Sequence, residues 1–213
     1  RMELTSFQLK WIAIFSMAVD HTGALLFPEA LWMRGIGRLA FPIFAFLLAE
    51  GYYHTHDVKR YLLRLWLFAL ISEIPYDLAF QGTLLESGSQ NVFFTLGLSL
   101  GVLELLGRLH EPAGQVIVLV CGLMIGEWAG VDYGFLGVLL PVIYGRFRES
   151  SFGRLCMGGL WNFLWQPGIQ YLGVLASVPI GLYRGKQGRK MKYFFYLFYP
   201  VHLLILYGTR ICL

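Results

Sequence analysis

The stretch Gln8–Phe27, QLKWIAIFSMAVDHTGALLF, decides the fold. It is apolar for about the 20 residues that a helix needs to cross the hydrocarbon core of a bilayer. It also carries an acid and an imidazole side by side, Asp20 and His21, toward its far end. A cleavable leader is not expected, because the run is too long and no small-residue cleavage site follows it. Runs of the same kind recur at Ile36–Tyr53, Tyr61–Phe80, Val92–Leu109, Gly114–Ala129, Tyr133–Gly145, Phe152–Gln166, Ile169–Tyr183 and Tyr193–Thr209. The sixth and seventh of these nine are short. Hydrophobic residues make up 57% of the 213 and charged residues only 14%, against about 25% charged in a soluble domain. No stretch is left over for a soluble domain. The expected fold is therefore all-α, a polytopic integral membrane bundle of about nine transmembrane helices forming one domain over residues 1–213.

Orientation follows from lysine and arginine, which favour the cytoplasmic side. With the N-terminus inside, fourteen of the seventeen basic residues fall inside and only Arg34, Arg38 and Arg210 outside. The net charge of +4 is thus a headgroup signal and not a nucleic-acid one. The three cysteines lack CxxC spacing, so neither a zinc site nor a disulfide framework is indicated. Gln81–Gln90, QGTLLESGSQ, reads as a flexible outer loop, and Gly130, Pro167 and Gly168 as tight outer turns.

Ionisable groups inside a bilayer are costly, and each needs a partner, a cavity or a function. Here they gather at one depth. Asp20 and His21 fall in the outer half of the first span, Arg34 and Arg38 at the outer start of the second, and Glu73 and Asp77 in the outer part of the third. Asn91, Glu127, Asp132 and Asn162 fall at the same level. A polar cavity opening outward is expected. His21 is the member able to exchange a proton near neutral pH. Asp20 points about 100° away from it on a helix, so Asp20 is expected to pair with Arg34 or Arg38. Glu73 and Asp77 share a face and could also meet an arginine. A network that only locks helices together is the structural alternative. His202 lies mid-span behind Pro200, facing either the cavity or a neighbouring helix. On the inner side Lys59, Arg60, Arg64, Arg146 and Arg148 form a basic rim, explained by orientation alone or by a phosphorylated cytosolic ligand.

These residues resemble the TraX family. The matching stretches are KWIAIFSMAVDH (Lys10–His21), RGIGRLAFPIFAFLLAEGYYHT (Arg34–Thr55), SEIPYD (Ser72–Asp77), NVFFTLGL (Asn91–Leu98), VDYGFLGVLLPVIY (Val131–Tyr144) and FYLFYPVHLLIL (Phe195–Leu206). TraX proteins are similar to small membrane acyltransferases. The resemblance implies a multi-pass protein of the bacterial inner membrane that moves an acetyl group from cytosolic acetyl-CoA, without a metal, to an amine or hydroxyl on the outer side. The acceptor implied is a pilin N-terminus, a glycan or a small molecule. His21, Asp20 and Arg38 would be catalytic, with His21 as general base and Arg38 or Asn162 facing the oxyanion. Arg34, Glu73, Asp77, Asn91, Asp132, Asn162 and His202 would line the acceptor site. Lys59, Arg60, Arg64, Arg146, Arg148 and Tyr199 would hold acetyl-CoA. The alternatives are a proton-coupled transporter or channel running through Asp20, His21, Glu73 and Asp77, and a non-catalytic assembly scaffold.

Overall fold

The computed structural model describes residues 3–165 and 168–212, so Arg1, Gln166 and Pro167 lie outside the described residues, as does the Lys192 side chain. The described chain is helical throughout: α1 (Ser6–Leu26), α2 (Leu31–Gly37), α3 (Ala40–His54), α4 (Val58–Phe80), α5 (Val92–Arg108), α6 (Pro112–Trp128), α7 (Gly134–Arg146), α8 (Ser151–Leu164), a 3-10 segment (Ile169–Ala176), α9 (Ser177–Leu182) and α10 (Lys192–Cys212). Several starts are fixed by capping, which satisfies the free N–H groups of a first turn. Thr5 and Gln8 form a reciprocal capping box at α1. Asp57, Asn91 and Ser150 accept from backbone N–H groups at the heads of α4, α5 and α8.

Polar residues gather at two ends of the bundle. The upper end holds Asp20, Arg38, Glu73, Asn91, Asp132 and Gln170; the lower end holds Glu50, Arg148, Arg154 and Tyr183. At the lower end Leu4 pairs with Tyr183, and Ser6 N–H donates to the Lys186 carbonyl. At the upper end Gln90 pairs with Val131. α3 is the central helix, packed against α1, α5 and α7, with Phe41, Ile43, Ala45, Phe46, Leu48 and Ala49 buried. α10 lies against α1 and α4. The outward faces are apolar along their length: Leu63, Trp66, Leu67, Leu70 and Ile74 on α4, and Val116, Ile117, Val120, Met124 and Trp128 on α6, are all exposed. Leu31–His54 and Tyr193–Cys212 are long and apolar enough to cross a membrane.

Three sequence expectations need correction. The span expected at Ile36–Tyr53 is two helices, broken where the Arg38 and Leu39 N–H groups bond three residues back, to Gly35 and Ile36. The span at Ile169–Tyr183 opens as a 3-10 helix. Its buried residues are Gln170, Gly173 and Ala176, and a spacing of three stacks on one face only in that tighter helix. A Cβ on Gly173 would overlap Asn162 Oδ1 at 2.1 Å, so glycine is what admits the close approach. The loop Gln81–Gln90 is tethered, not free: the Glu86 N–H donates to Asp77 Oδ2 at 2.8 Å, and the Gln90 N–H to the Gly130 carbonyl at 2.9 Å. The short sixth and seventh spans are α7 and α8, of 13 and 14 residues, each about 20 Å long at ~1.5 Å per residue.

Helix packing here rests on small residues at crossings, and two glycines test it. A Cβ on Gly122 of α6 would meet Val102 Cγ2 of α5 at 2.4 Å, whereas one on Gly101 would meet nothing within 4 Å. Gly101→Ala is expected to stabilise the protein by roughly 0.5–1 kcal/mol through helix propensity. Gly122→Ala should lose about 1–3 kcal/mol to overpacking. Thermal unfolding of the two variants in detergent gives the order, and equal melting temperatures would contradict it.

Candidate functional site

The site is built from the last turn of α1. Asp20 is 8% exposed, and a carboxylate so placed needs paired charge. Arg34 Nη1 reaches Asp20 Oδ2 at 2.9 Å, and Arg38 Nη2 spans both oxygens at 2.9 and 3.0 Å. Gly37 permits this: a Cβ there would fall 2.2 Å from Asp20 Cβ and Oδ1. The knot extends outward. Arg38 Nη1 donates to Tyr133 Oη and to Gln170 Oε1, each at 3.5 Å. Gln170 Nε2 donates to Asn162 Oδ1 at 2.9 Å, and Asn162 Nδ2 donates to the Gly158 carbonyl at 3.0 Å. One polar chain therefore joins α1, α2, α7, α8 and the 3-10 segment.

On the other face of the same turn stands His21. Its Nδ1 is 2.7 Å from His202 Nε2, and His202 Nδ1 is 2.7 Å from the Phe198 carbonyl. A carbonyl can only accept, so His202 carries its proton on Nδ1 when neutral. His202 Nε2 then accepts from His21 Nδ1–H, and the lone pair of His21 is left on Nε2. The rings lie parallel, 5.0 Å apart. Phe80 and Tyr199 pack edge-on to His21, and the Tyr199 ring is buried.

The remaining predicted residues divide. Of the acids open to an arginine, Asp20 takes both, and Glu73 and Asp77 meet none among the described residues. Glu73 is held by the Asn91 side-chain amide, which also donates to the Ala69 carbonyl, and Asp77 receives the Glu86 N–H. Both acids are met by neutral donors, and Asp77 Oδ1 is buried without a hydrogen-bond partner. Asn162 is committed to backbone carbonyls and Gln170. Two separate spaces lie at this end. One, of about 340 Å³, is lined by Tyr76, Ser89, Glu127, Asp132, Tyr133 and Trp165 among others. The second, of about 250 Å³, is lined by Phe80, Gln81, Tyr207 and Arg210 with their neighbours. His21 lines neither, and Phe80 stands between it and the second. Tyr76 lines the first while packing on Phe80. Asp132 sits in the turn before α7, where burial pushes its carboxyl up to about 6.

Of the basic rim, Lys59 and Arg60 are exposed, and Arg60 is paired with Asp57. Arg64 lies over Tyr61. Arg146 is exposed, and Arg148 Nε reaches Glu50 at 3.4 Å. Tyr199, grouped with this rim from sequence, belongs at the upper end beside His21. Sequence reasoning passed over Gln170, Tyr133 and Gly37. The lone amide in the apolar run IQYL was the available signal for the first; Tyr133 and Gly37 gave none beyond their neighbours.

Because Asp20 holds two guanidiniums, removing either arginine leaves it partnered, whereas removing the acid strands both. Asp20→Ala is expected to cost about 3–5 kcal/mol, the scale of breaking a buried ion pair, and Arg38→Ala distinctly less. Unfolding of the purified variants would show it, and an Arg38→Ala loss as large as that of Asp20→Ala would contradict the arrangement.

The family model for TraX protein matches residues 6–210. "Probable fimbrial assembly protein FimC, serogroup H1" from Dichelobacter nodosus is 29% identical over an alignment covering 100% of this chain and 98% of that protein. "Protein TraX" from Escherichia coli (strain K12) is 28% identical over 67% of this chain and 56% of its own length. "Uncharacterized protein RP591" from Rickettsia prowazekii (strain Madrid E) is 25% identical over 70% of this chain and 58% of its own. The chain thus matches nearly the full length of the first relative and a little over half of the other two. No solved structure matches it. With its DH turn, its arginine pair and its YPVH segment inside the matched span, the chain belongs to the TraX family.

Proposed function

We propose that this protein is a multi-pass acetyltransferase of the bacterial inner membrane, N-terminus inside, with His21 as the general base. The observation that carries the reading is the histidine pair. His202 fixes the proton of His21 on Nδ1, and so aims the basic Nε2 lone pair away from the pair. A partly buried imidazole held in one tautomer by a second group is the arrangement that base catalysis of acyl transfer uses. The membrane assignment is supported by the apolar outward faces of α4 and α6, which water would disfavour, and by the two long apolar stretches.

In this reading the acceptor N–H or O–H gives its proton to His21 Nε2 as its nitrogen or oxygen attacks the thioester carbonyl of acetyl-CoA. The C–S bond breaks, the acetyl group stays on the acceptor, and the thiolate takes the proton back from the imidazolium. The acceptor enters from the upper cavity past Tyr76 and Phe80. The names of the relatives, a fimbrial assembly protein and TraX, agree with a protein acceptor, a pilin N-terminus among them. A proton relay through four groups gains less support. Asp20 is locked by two guanidiniums and Asp77 is tied to the loop backbone, so the chain of carriers is broken at two places.

The test is turnover of radiolabelled acetyl-CoA by purified protein in detergent, as hydrolysis when no acceptor is supplied. His21→Ala should lower the rate about 10²–10⁴-fold, the scale of a lost general base, with folding intact. His202→Gln keeps an acceptor for His21 Nδ1–H and should retain more activity than His202→Phe, which cannot accept. Wild-type turnover in His21→Ala would end the assignment, and ion flux in proteoliposomes without acetyl-CoA turnover would favour the transporter.

A further inference from the structure

The lower end of the bundle holds a buried cation that no acid answers. Arg154, in the first turn of α8, is 8% exposed. Its guanidinium lies over the Phe46 ring at 5.0 Å, and its Nε has no hydrogen-bond partner. No salt bridge involves it among the described residues. Around it stand Tyr144 and Tyr183, both packed edge-on against Phe46. Tyr183 is within electrostatic reach of both Arg154 and Arg148. The one buried carboxylate in the group is Glu50, a turn along α3 from Phe46. Glu50 is already shared by Arg148 at 3.4 Å and by His54 at 4.0 Å, and Tyr183 lies against it. Glu149, which also bonds Arg148, points into solvent at 93% exposure. Glu50 is thus answered by Arg148, no carboxylate pairs with Arg154 among the described residues, and a positive charge remains.

We propose that Arg154 and Arg148 form a binding site for a phosphate-bearing ligand at the lower end of the bundle. An unpaired buried guanidinium is destabilising by itself, and its planar fork of donors fits phosphate oxygens. The free N–H groups at the head of α8, whose first turn carries Arg154, add positive potential at the same place. One carboxylate would be matched by one guanidinium, whereas a phosphate engages both. Two sources supply that chemistry: the phosphates of the acyl donor, or the headgroup of an anionic lipid. The first source rests on the acetyltransferase reading; the site does not. The exposed Lys59, Arg60 and Arg146 are not part of it.

The experiment uses full-length protein, delipidated in maltoside detergent, titrated with coenzyme A, with pantetheine, which lacks phosphate, and with phosphatidylglycerol. Binding is read by calorimetry and by the shift in melting temperature. Wild type should bind coenzyme A or phosphatidylglycerol and ignore pantetheine. Arg154→Gln should lose at least about tenfold in affinity, as expected for removing a charged hydrogen bond, and without ligand should melt no lower than wild type. Arg148→Gln, at a half-buried position, should weaken binding as well and decides the matter if Arg154→Gln does not fold. Binding of phosphatidylglycerol alone supports the site and counts only against the donor as its occupant. Binding of coenzyme A with loss of affinity in both variants supports site and donor together. Absence of binding by either phosphate probe, or unchanged affinity in the arginine variants, overturns the site whatever becomes of His21.

Discussion

The carboxylate of Asp20 is enclosed at the end of a helix, and burying a charge is costly unless opposite charge is paired with it. That requirement organises the upper end. It brings α2 down onto α1 until Gly37 touches Asp20, and it turns Arg34 and Arg38 inward. Arg38 then spends its remaining donors on Tyr133 and Gln170, which ties α7 and the 3-10 segment to the same point. At the break Arg38 Nε donates to the Arg34 carbonyl, the acceptor that a continued α-helix would offer to the Arg38 N–H.

Adjacent residues on one helical turn face different ways, and this protein uses both faces. Asp20 commits one to fixed charge. His21 commits the other to a group that can change charge, placed against His202 of α10. Pro200 removes one backbone N–H from the turn below His202, and the His202 ring bonds back to the Phe198 carbonyl. That bond decides which nitrogen of each imidazole carries its proton. The separation bears on the proposed mechanism: the fixed pair can hold helices without taking the proton that His21 would exchange as general base.

How much of this was legible varies residue by residue. The helical class was plain, because long apolar runs leave no other way to satisfy the backbone in lipid. The Asp20–arginine pairing was legible too, since few cations lie at that depth. The partners of Glu73 and Asp77 were not legible because they are neutral: the Asn91 amide can be named from sequence, but the Glu86 backbone N–H carries no residue signature. The 3-10 winding of Ile169–Ala176 was hidden because periods of three and of 3.6 are hard to tell apart over eight residues. The contact of His21 with His202 spans 181 positions, beyond any local rule.

The two ends of the bundle treat buried charge in opposite ways. At the upper end two arginines surround one enclosed acid, and the chain adds Tyr133, Gln170 and the Asp20 carbonyl to absorb their remaining donors. At the lower end the enclosed acid Glu50 is taken by Arg148, while Arg154 is given an aromatic face and no acceptor for its Nε. The difference lies in the acid and the neutral acceptors that surround Arg34 and Arg38 and that Arg154 lacks. A guanidinium supplied with acceptors is part of the scaffold. One left without them, in a fold able to supply them elsewhere, has its donors free for a ligand that the polypeptide does not contain.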